Sequence, residues 1–274
     1  MRFGIHLPQY GRTAGATSIT EAARAAEALG FDDIWVSDHV VHPAAQSYPS
    51  PFLFDPFMTL AWGAAATETI GLGTSVLVVP QYHPLWLANA LASLDALSGG
   101  RLKVGVGVGW SEAEFEALGQ DFHNRGKRTD EMLEILRACW TDDPASFHGD
   151  FYDFTDIRVL PKPAHPIDIW VGGSGAAAHR RAQTAAGFQL IGLKPDTVGE
   201  AVDRLRAEHP DVDAFTISLR TGWDPQGMPP EEIAAEREAF EAAGVQHVVA
   251  APWRSTLDEW LTSMKLLAEI VGVS

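Results

Sequence analysis

A (β/α)8 TIM barrel is the fold class this sequence predicts, and three observations carry that expectation. Strand-like and helix-like segments alternate from one end of the 274-residue chain to the other. The unit from Gly71 to Trp110 is the clearest: an apolar β-branched run Thr74–Val79, a helix Pro84–Leu97 and a second apolar run Leu102–Val108. Both runs are apolar on both faces, which suits parallel strands covered by helices. Length alone leaves two small domains or one barrel open. The unbroken alternation, without a linker or low-complexity block, favours one domain over residues 1–274.

Arg2–Leu7 reads as the first strand. From Ser18 to Gly30, residues Ile19, Ala22, Ala23, Ala26 and Leu29 share one helical face, and Ser18 and Glu21 have capping-box spacing. Asp33–Ser37 is the second strand, and Asp55-Pro56 opens the next helix as a cap followed by a first-turn proline. The helix of the Gly71–Trp110 unit stops at Ser98-Gly99-Gly100. A helix Gly126–Trp140 follows, and the stretch from Pro144 to Pro163 reads as a small hairpin inserted before strand 5. The remaining strands are Ile167–Val171, Gln189–Leu193, Ala214–Arg220 and Gln246–Ala250. Helices Ala176–Gly187, Thr197–His209, Glu231–Gly244 and Leu257–Ile270 lie between and after them. Trp35, Trp62, Trp86 and Trp140 fall within these patterns and are expected in the core.

Composition narrows the partners. A formal net charge of −16 repels phosphate, so neither nucleic acid nor an anionic membrane surface is an expected partner. No run is long and apolar enough to span a bilayer, and the chain opens on a strand rather than a basic leader with an apolar run. Cys139 is the single cysteine; it excludes an internal disulfide framework, suits a reducing cytoplasm and reads as core filler. A cytoplasmic protein acting on a small molecule is the expectation.

In a barrel of this kind chemistry gathers on the loops after the strands' C-terminal ends. Four segments fall there: Ser37-Asp38-His39-Val40, Thr74-Ser75-Val76, Gly105 to Trp110, and Gly172 to Gly175. Alternate glycines at Gly105, Gly107 and Gly109 weaken a strand and point to a flat ligand lying against the backbone. His39 supplies an imidazole, the side-chain type most often used for general acid–base chemistry. Gly172-Gly173-Ser174-Gly175 precedes a helix, where free N–H groups favour a phosphate. Trp110, Tyr48, Phe52 and Phe54 are candidates to line a substrate pocket.

Taken together, these segments resemble the luciferase-like monooxygenase superfamily, and more narrowly its branch using the deazaflavin coenzyme F420. The matching residues are GIHLPQYG from Gly4, GFDDIWVSDHV from Gly30, IGLGTSVLVVPQYHP from Ile70, LDALSGGRLKVGVGVGW from Leu94, RGKRTDE from Arg125, and PKP with IDIWVGGSG up to Gly175. The resemblance implies an oxidoreductase passing hydride between F420 and a small organic substrate. His39 would give or take the accompanying proton, and Asp38 would contact the coenzyme. A non-prolyl cis peptide at Ser75-Val76 would back the ring, with Gly107, Val108 and Gly109 as further contacts and Gly172, Gly173, Ser174 and Gly175 as the phosphate turn. It also allows a homodimer. Two alternatives stay open: an FMN-dependent monooxygenase fed by a separate flavin reductase, and a non-catalytic flavin-binding barrel. The chain departs from the family at Trp110, where some sugar-phosphate dehydrogenases carry a catalytic glutamate, and at Ala186-Gly187, where Asp-Gly is frequent. Beyond about residue 190 no motif matches.

Plainer readings stand beside these. Asp38 and His39 also suit a turn cap after a strand. His39 and His42 lack a third ligand at recognisable spacing, so no metal is expected. Gly173 to Ala178 fits a dinucleotide fingerprint, but Leu193-Lys194-Pro195 stands where the ribose-binding acid belongs. Arg125, Arg128 and Glu131 are expected to hold a helix start through ion pairs.

Overall fold

The computed structural model describes residues 1–46 and 50–273. Eight parallel strands close into a barrel in the order β1-β10-β9-β8-β7-β4-β3-β2. They are β1 (Arg2–His6), β2 (Asp33–Val36), β3 (Gly71–Val78), β4 (Leu102–Gly107), β7 (Asp168–Gly172), β8 (Gly187–Ile191), β9 (Thr216–Thr221) and β10 (His247–Ala250). An antiparallel hairpin, β5 (Ala145–His148) and β6 (Asp153–Ile157), precedes β7, the fifth barrel strand. The fold class is the one the alternation predicts, and the inserted hairpin falls where the sequence breaks that alternation.

Helices α1 (Ala16–Ala28), α2 (Pro56–Ala65), α3 (Pro84–Ser98), α4 (Glu112–Ala117), α5 (Arg125–Thr141), α6 (Ala176–Ala182), α7 (Pro195–Glu208), α8 (Pro230–Ala242) and α9 (Leu257–Val271) connect the strands. Two helix ends follow the predicted chemistry. The Asp55 side chain caps α2 by accepting from the Met58 N–H at 2.8 Å. Helix α3 stops at Gly99, whose φ of +77° a residue with a side chain rarely adopts. The Ser18–Glu21 box does not form, because α1 begins two residues earlier, capped by Gly15, so Ser18 lies inside its first turn. Helix α6 ends at Ala182, not Gly187, and the next strand starts at Gly187 instead of Gln189. A Cβ on Gly187 would lie 2.9 Å from the Trp170 ring, so that glycine is a packing position of the sheet.

The barrel interior explains why β3 begins at Gly71 rather than Thr74. Trp35 and Trp170 fill the lower interior, their rings 5.4 Å apart, both buried. A Cβ on Gly73 would lie 2.4 Å from the Trp35 ring, so the strand carries glycine where the indole needs space. The apolar layer between barrel and helices holds Ile5, Ile34, Leu72, Val104 and Ile217 from the strands, with Leu91, Leu136 and Leu267 from the helices. Trp140 joins this core, but Trp62 and Trp86 are half exposed. Trp62 donates to Thr20 Oγ1 and Trp86 stacks on Tyr82, so helical periodicity misplaced both.

Candidate active site

The C-terminal ends of the strands surround a largely apolar cleft of about 530 Å³, a volume typical of small-molecule sites. Its floor is the end of β3. The Ser75–Val76 peptide is cis, and the register against β4 shifts between Thr74 and Leu77. Val76 rises between Gly107 of β4 and Gly172 of β7. A Cβ on either glycine would come within 2.6 Å and 2.9 Å of the Val76 methyls, respectively. Glycine on both sides therefore leaves Val76 as a low ridge on a bare backbone, a surface against which a planar ring can lie.

Asp38 and His39 follow β2 on one wall of this cleft. The Asp38 carboxylate is buried and spends both oxygens on protein: Oδ2 accepts the Val78 N–H and Oδ1 the Tyr82 hydroxyl, each at 2.7 Å. It thereby ties the β2 loop to the end of β3. Burial pushes its pKa up to about 6, more than those two hydrogen bonds and the nearby His39 pull it down. The imidazole of His39 is fastened from below. Its Nδ1 lies 3.1 Å from Glu114 Oε2, and Glu114 Oε1 accepts the N–H groups of Val40 and Val41 at 2.7 and 3.3 Å. Glu114 is set there by α4, whose Phe115 is fully buried beneath Gly109. Burial works to raise the Glu114 pKa, but the hydrogen bond and charge of His39 and the Val40 N–H outweigh it and hold it below the ordinary range.

A cation spans the barrel mouth. From β9, Arg220 reaches the opposite side of the barrel, where Nη1 donates to the Ser75 carbonyl at 2.6 Å and to Ser37 Oγ at 3.0 Å. His6 lies beside this contact, 2.9 Å from Ser37 Oγ and 2.8 Å from the Leu7 carbonyl. Its pKa is held well below the usual value by burial and then by the Arg220 charge. Tyr10 and Trp253, with ring centroids 4.9 Å apart, form an aromatic wall next to Arg220.

Of the residues singled out in the sequence, Asp38, His39, Ser75, Val76, Gly107, Val108, Gly109, Trp110, Gly172 and Gly173 line this one cleft. Ser174 lines an adjoining groove of about 360 Å³ that meets the cleft at Gly173 and Ile191. Gly173 has φ +132°, and Gly175 caps the seven-residue α6. Phe52 and Phe54 pack against each other outside the cleft lining, and Leu53 faces it instead. The reason is the alternation of an extended segment that bridges Leu53 to Tyr10. Tyr48 falls outside the described residues. Arg125 and Arg128 hold the start of α5 through hydrogen bonds, not ion pairs: Arg125 to the Gly109 and Phe122 carbonyls, Arg128 to Asn124 and Gln120. Glu131 accepts N–H groups of residues 150–152. The sequence reading missed Glu114, Tyr82, Arg220 and Trp253. Arg220 was legible as a charged residue ending an apolar strand candidate; Glu114 sits in a helix too short to show periodicity.

The cleft fits a flavin-like ring on its own features. The floor is bare backbone, and Ser75 Oγ at that floor is buried without a hydrogen-bond partner among the described residues. A buried hydroxyl without a partner costs free energy that a ligand's polar edge can recover.

Comparison with known proteins agrees with this geometry. Residues 1–222 match the luciferase-like monooxygenase family. An uncharacterised protein of Mycobacterium tuberculosis is 37% identical over 215 residues, covering 72% of this chain and 74% of that protein. The F420-dependent glucose-6-phosphate dehydrogenase of Amycolatopsis mediterranei is 32% identical over 227 residues, 77% of this chain and 66% of its own. The FMNH2-dependent dimethylsulfone monooxygenase of Pseudomonas putida is 36% identical over 196 residues, 66% of this chain and 53% of its own. A closed barrel with a glycine-flanked cleft at its mouth, matched in sequence over residues 1–222, places the chain in the luciferase-like monooxygenase family.

Proposed function

We propose that the protein is an oxidoreductase that passes hydride between coenzyme F420 and a small organic substrate. The observation that carries this reading is the pairing of a bare, glycine-flanked floor at Val76 with an anchored imidazole, His39, on the adjoining wall. A bound deazaflavin supplies the hydride chemistry at its ring. The chain's own residues do the rest. Val76, Gly107 and Gly172 would support the ring, with Val108 and Gly109 beside it. Gly173 and Ser174, at the junction with the adjoining groove, would receive the phosphate-bearing tail. His39 Nε2 has no protein partner among the described residues, so it is the nitrogen able to give or take a proton. Asp38, with both oxygens committed to Val78 and Tyr82, would set the shape of the wall rather than bond the ring.

The F420-dependent relative supports the deazaflavin. Trp110 stands half-exposed at the cleft where that activity's glutamate is expected, so a sugar phosphate is not the proposed substrate. The 36% identity to an FMNH2-dependent monooxygenase favours a second reading, FMN with oxygen as co-substrate. Ultrafiltration binding with F420 and FMN side by side tests the choice. Tighter retention of F420 is expected; tighter FMN binding, or oxygen-dependent turnover with reduced FMN, would replace this reading by the second.

A further inference from the structure

We propose that Glu114 is a positioning residue of this site: it captures the His39 Nδ1–H and thereby leaves Nε2 as the bare nitrogen that exchanges a proton in the cleft. The inference rests on the reading of His39 as the proton-handling group, and it concerns a residue outside every motif in the sequence.

The geometry gives Glu114 little freedom. Its side chain is 2% exposed, and Oε1 is held by two backbone N–H groups, from Val40 and Val41. Oε2 is therefore aimed at His39 Nδ1, 3.1 Å away. An ionised carboxylate only accepts hydrogen bonds, so the nitrogen facing it must carry the hydrogen. The other neutral tautomer would set a lone pair on Nδ1 against the carboxylate lone pairs. A neutral imidazole has one N–H, so fixing it at Nδ1 strips Nε2. The other titratable groups around His39 do not compete. Asp38, its chain neighbour, is engaged by Val78 and Tyr82, and the His42 ring packs against that of His39 at a 50° tilt, with centroids 4.9 Å apart.

The proton count closes. Neutral His39 takes one proton on Nε2, keeps its Nδ1–H on Glu114, and becomes an imidazolium beside a carboxylate. In the reverse sense it releases that same proton. Glu114 is never protonated. Its hydrogen bond keeps the ring from rotating.

Glu114→Gln makes the idea sharply testable. The Gln carbonyl oxygen would accept the Val40 and Val41 N–H groups, leaving its amide N–H to face His39 Nδ1. A donor at that position demands an unprotonated Nδ1 and moves the hydrogen to Nε2. Nitrogen-15 NMR of histidine-labelled protein without cofactor reads the tautomer directly, with His39 assigned by its loss in His39→Gln. The wild-type protein should show Nδ1–H and bare Nε2; Glu114→Gln should invert the pattern. With F420 supplied, the variant should lose at least about tenfold in turnover with cofactor affinity little changed. Wild-type protein carrying its hydrogen on Nε2 overturns the proposal even if the variant does not fold. A variant with the wild-type spectrum and turnover overturns it as well. If neither F420 nor FMN binds, the functional reading falls while the tautomer measurement still decides the role of Glu114.

Discussion

A buried carboxylate–histidine pair stands at each end of this barrel, and the two ends use it differently. At the bottom, Asp33 Oδ1 accepts His247 Nε2 at 2.9 Å, and both side chains are fully buried. The second histidine nitrogen is also committed, bonded to Ser218 Oγ at 2.8 Å. The Trp35 indole N–H donates to Asp33 Oδ1, and Lys103 Nζ lies 3.2 Å from Oδ2. At the top, Glu114 holds only one nitrogen of His39, and the ring lines a cleft. The residue types are nearly the same. What differs is whether the second imidazole nitrogen is consumed by the protein or left to a ligand. The lower pair is a closed network that serves packing, as expected below a barrel, and the upper pair is an open one that can do chemistry.

Breaking the lower pair should cost the most. Burial alone would raise the Asp33 pKa, but the His247 charge and hydrogen bond, Lys103 and the Trp35 indole hold the carboxyl far below its usual range. Asp33→Asn removes the charge and leaves one acceptor oxygen, beside a new NH2 donor, for three buried or half-buried donors, so stability should fall by about 3–5 kcal/mol. Urea unfolding reads this directly. A loss below about 1 kcal/mol would show that the network is not structural in the sense argued here. The pair also implies that the acid limb of stability is steep: a depressed carboxyl contributes stability above its unfolded pKa, and that contribution disappears as pH falls.

The upper pair should behave in the opposite way. His39→Ala is expected to lower turnover by roughly 10²–10⁴-fold while the unfolding free energy moves by no more than about 1 kcal/mol. Cofactor affinity, read by tryptophan fluorescence quenching, should change little. An active alanine variant with the wild-type pH profile would make the upper pair structural too and erase the contrast.

Asp38 sharpens the comparison, because it is a top-end carboxylate buried without a cationic closure like that of Asp33. Its pKa rises from 3.8 to about 6, so between those values the folded protein binds more protons than the unfolded chain. Stability should therefore fall as pH rises through that window, by up to about 3 kcal/mol, and stay low above it. Asp38→Asn lacks this titration. Measured against wild type, the variant should gain stability steadily from about pH 4 to about pH 6. A difference that stays flat with pH would mean that Asp38 is no more proton-loving than an exposed aspartate.

The smallest expected effect concerns the floor. Gly107→Ala places a Cβ 2.6 Å from a Val76 methyl, so Val76 must shift. We expect a stability loss of about 1–3 kcal/mol, and F420 binding weakened beyond what that loss explains. Unchanged binding would show that the ring does not rest on Val76.

Local chemistry in the sequence determined a good part of this protein. Alternating apolar runs specify parallel strands and covering helices; Asp55-Pro56 and Ser98-Gly99-Gly100 start and stop two of those helices at their own positions. The loop segments at Asp38, Ser75, Gly107 and Gly172 could be chosen because barrel topology brings strand C-terminal ends to one mouth, whatever the intervening chain does. Only tertiary structure decided which side chains those segments meet. Glu114 reaches His39 across 75 positions of chain, and Arg220 reaches Ser75 across 145. Neither contact leaves a mark on composition or periodicity, because the first depends on β3 holding the ends of β2 and β4 near each other and the second on closure of the barrel. The same limit explains Phe52 and Phe54: their apolar character was plain, but the bridge from Leu53 to Tyr10 sets which face of that segment turns to the cleft. Near-neighbour preferences act along the chain and can be read there. The open nitrogen of His39 exists because two distant segments are held together by the free energy of the whole packed barrel.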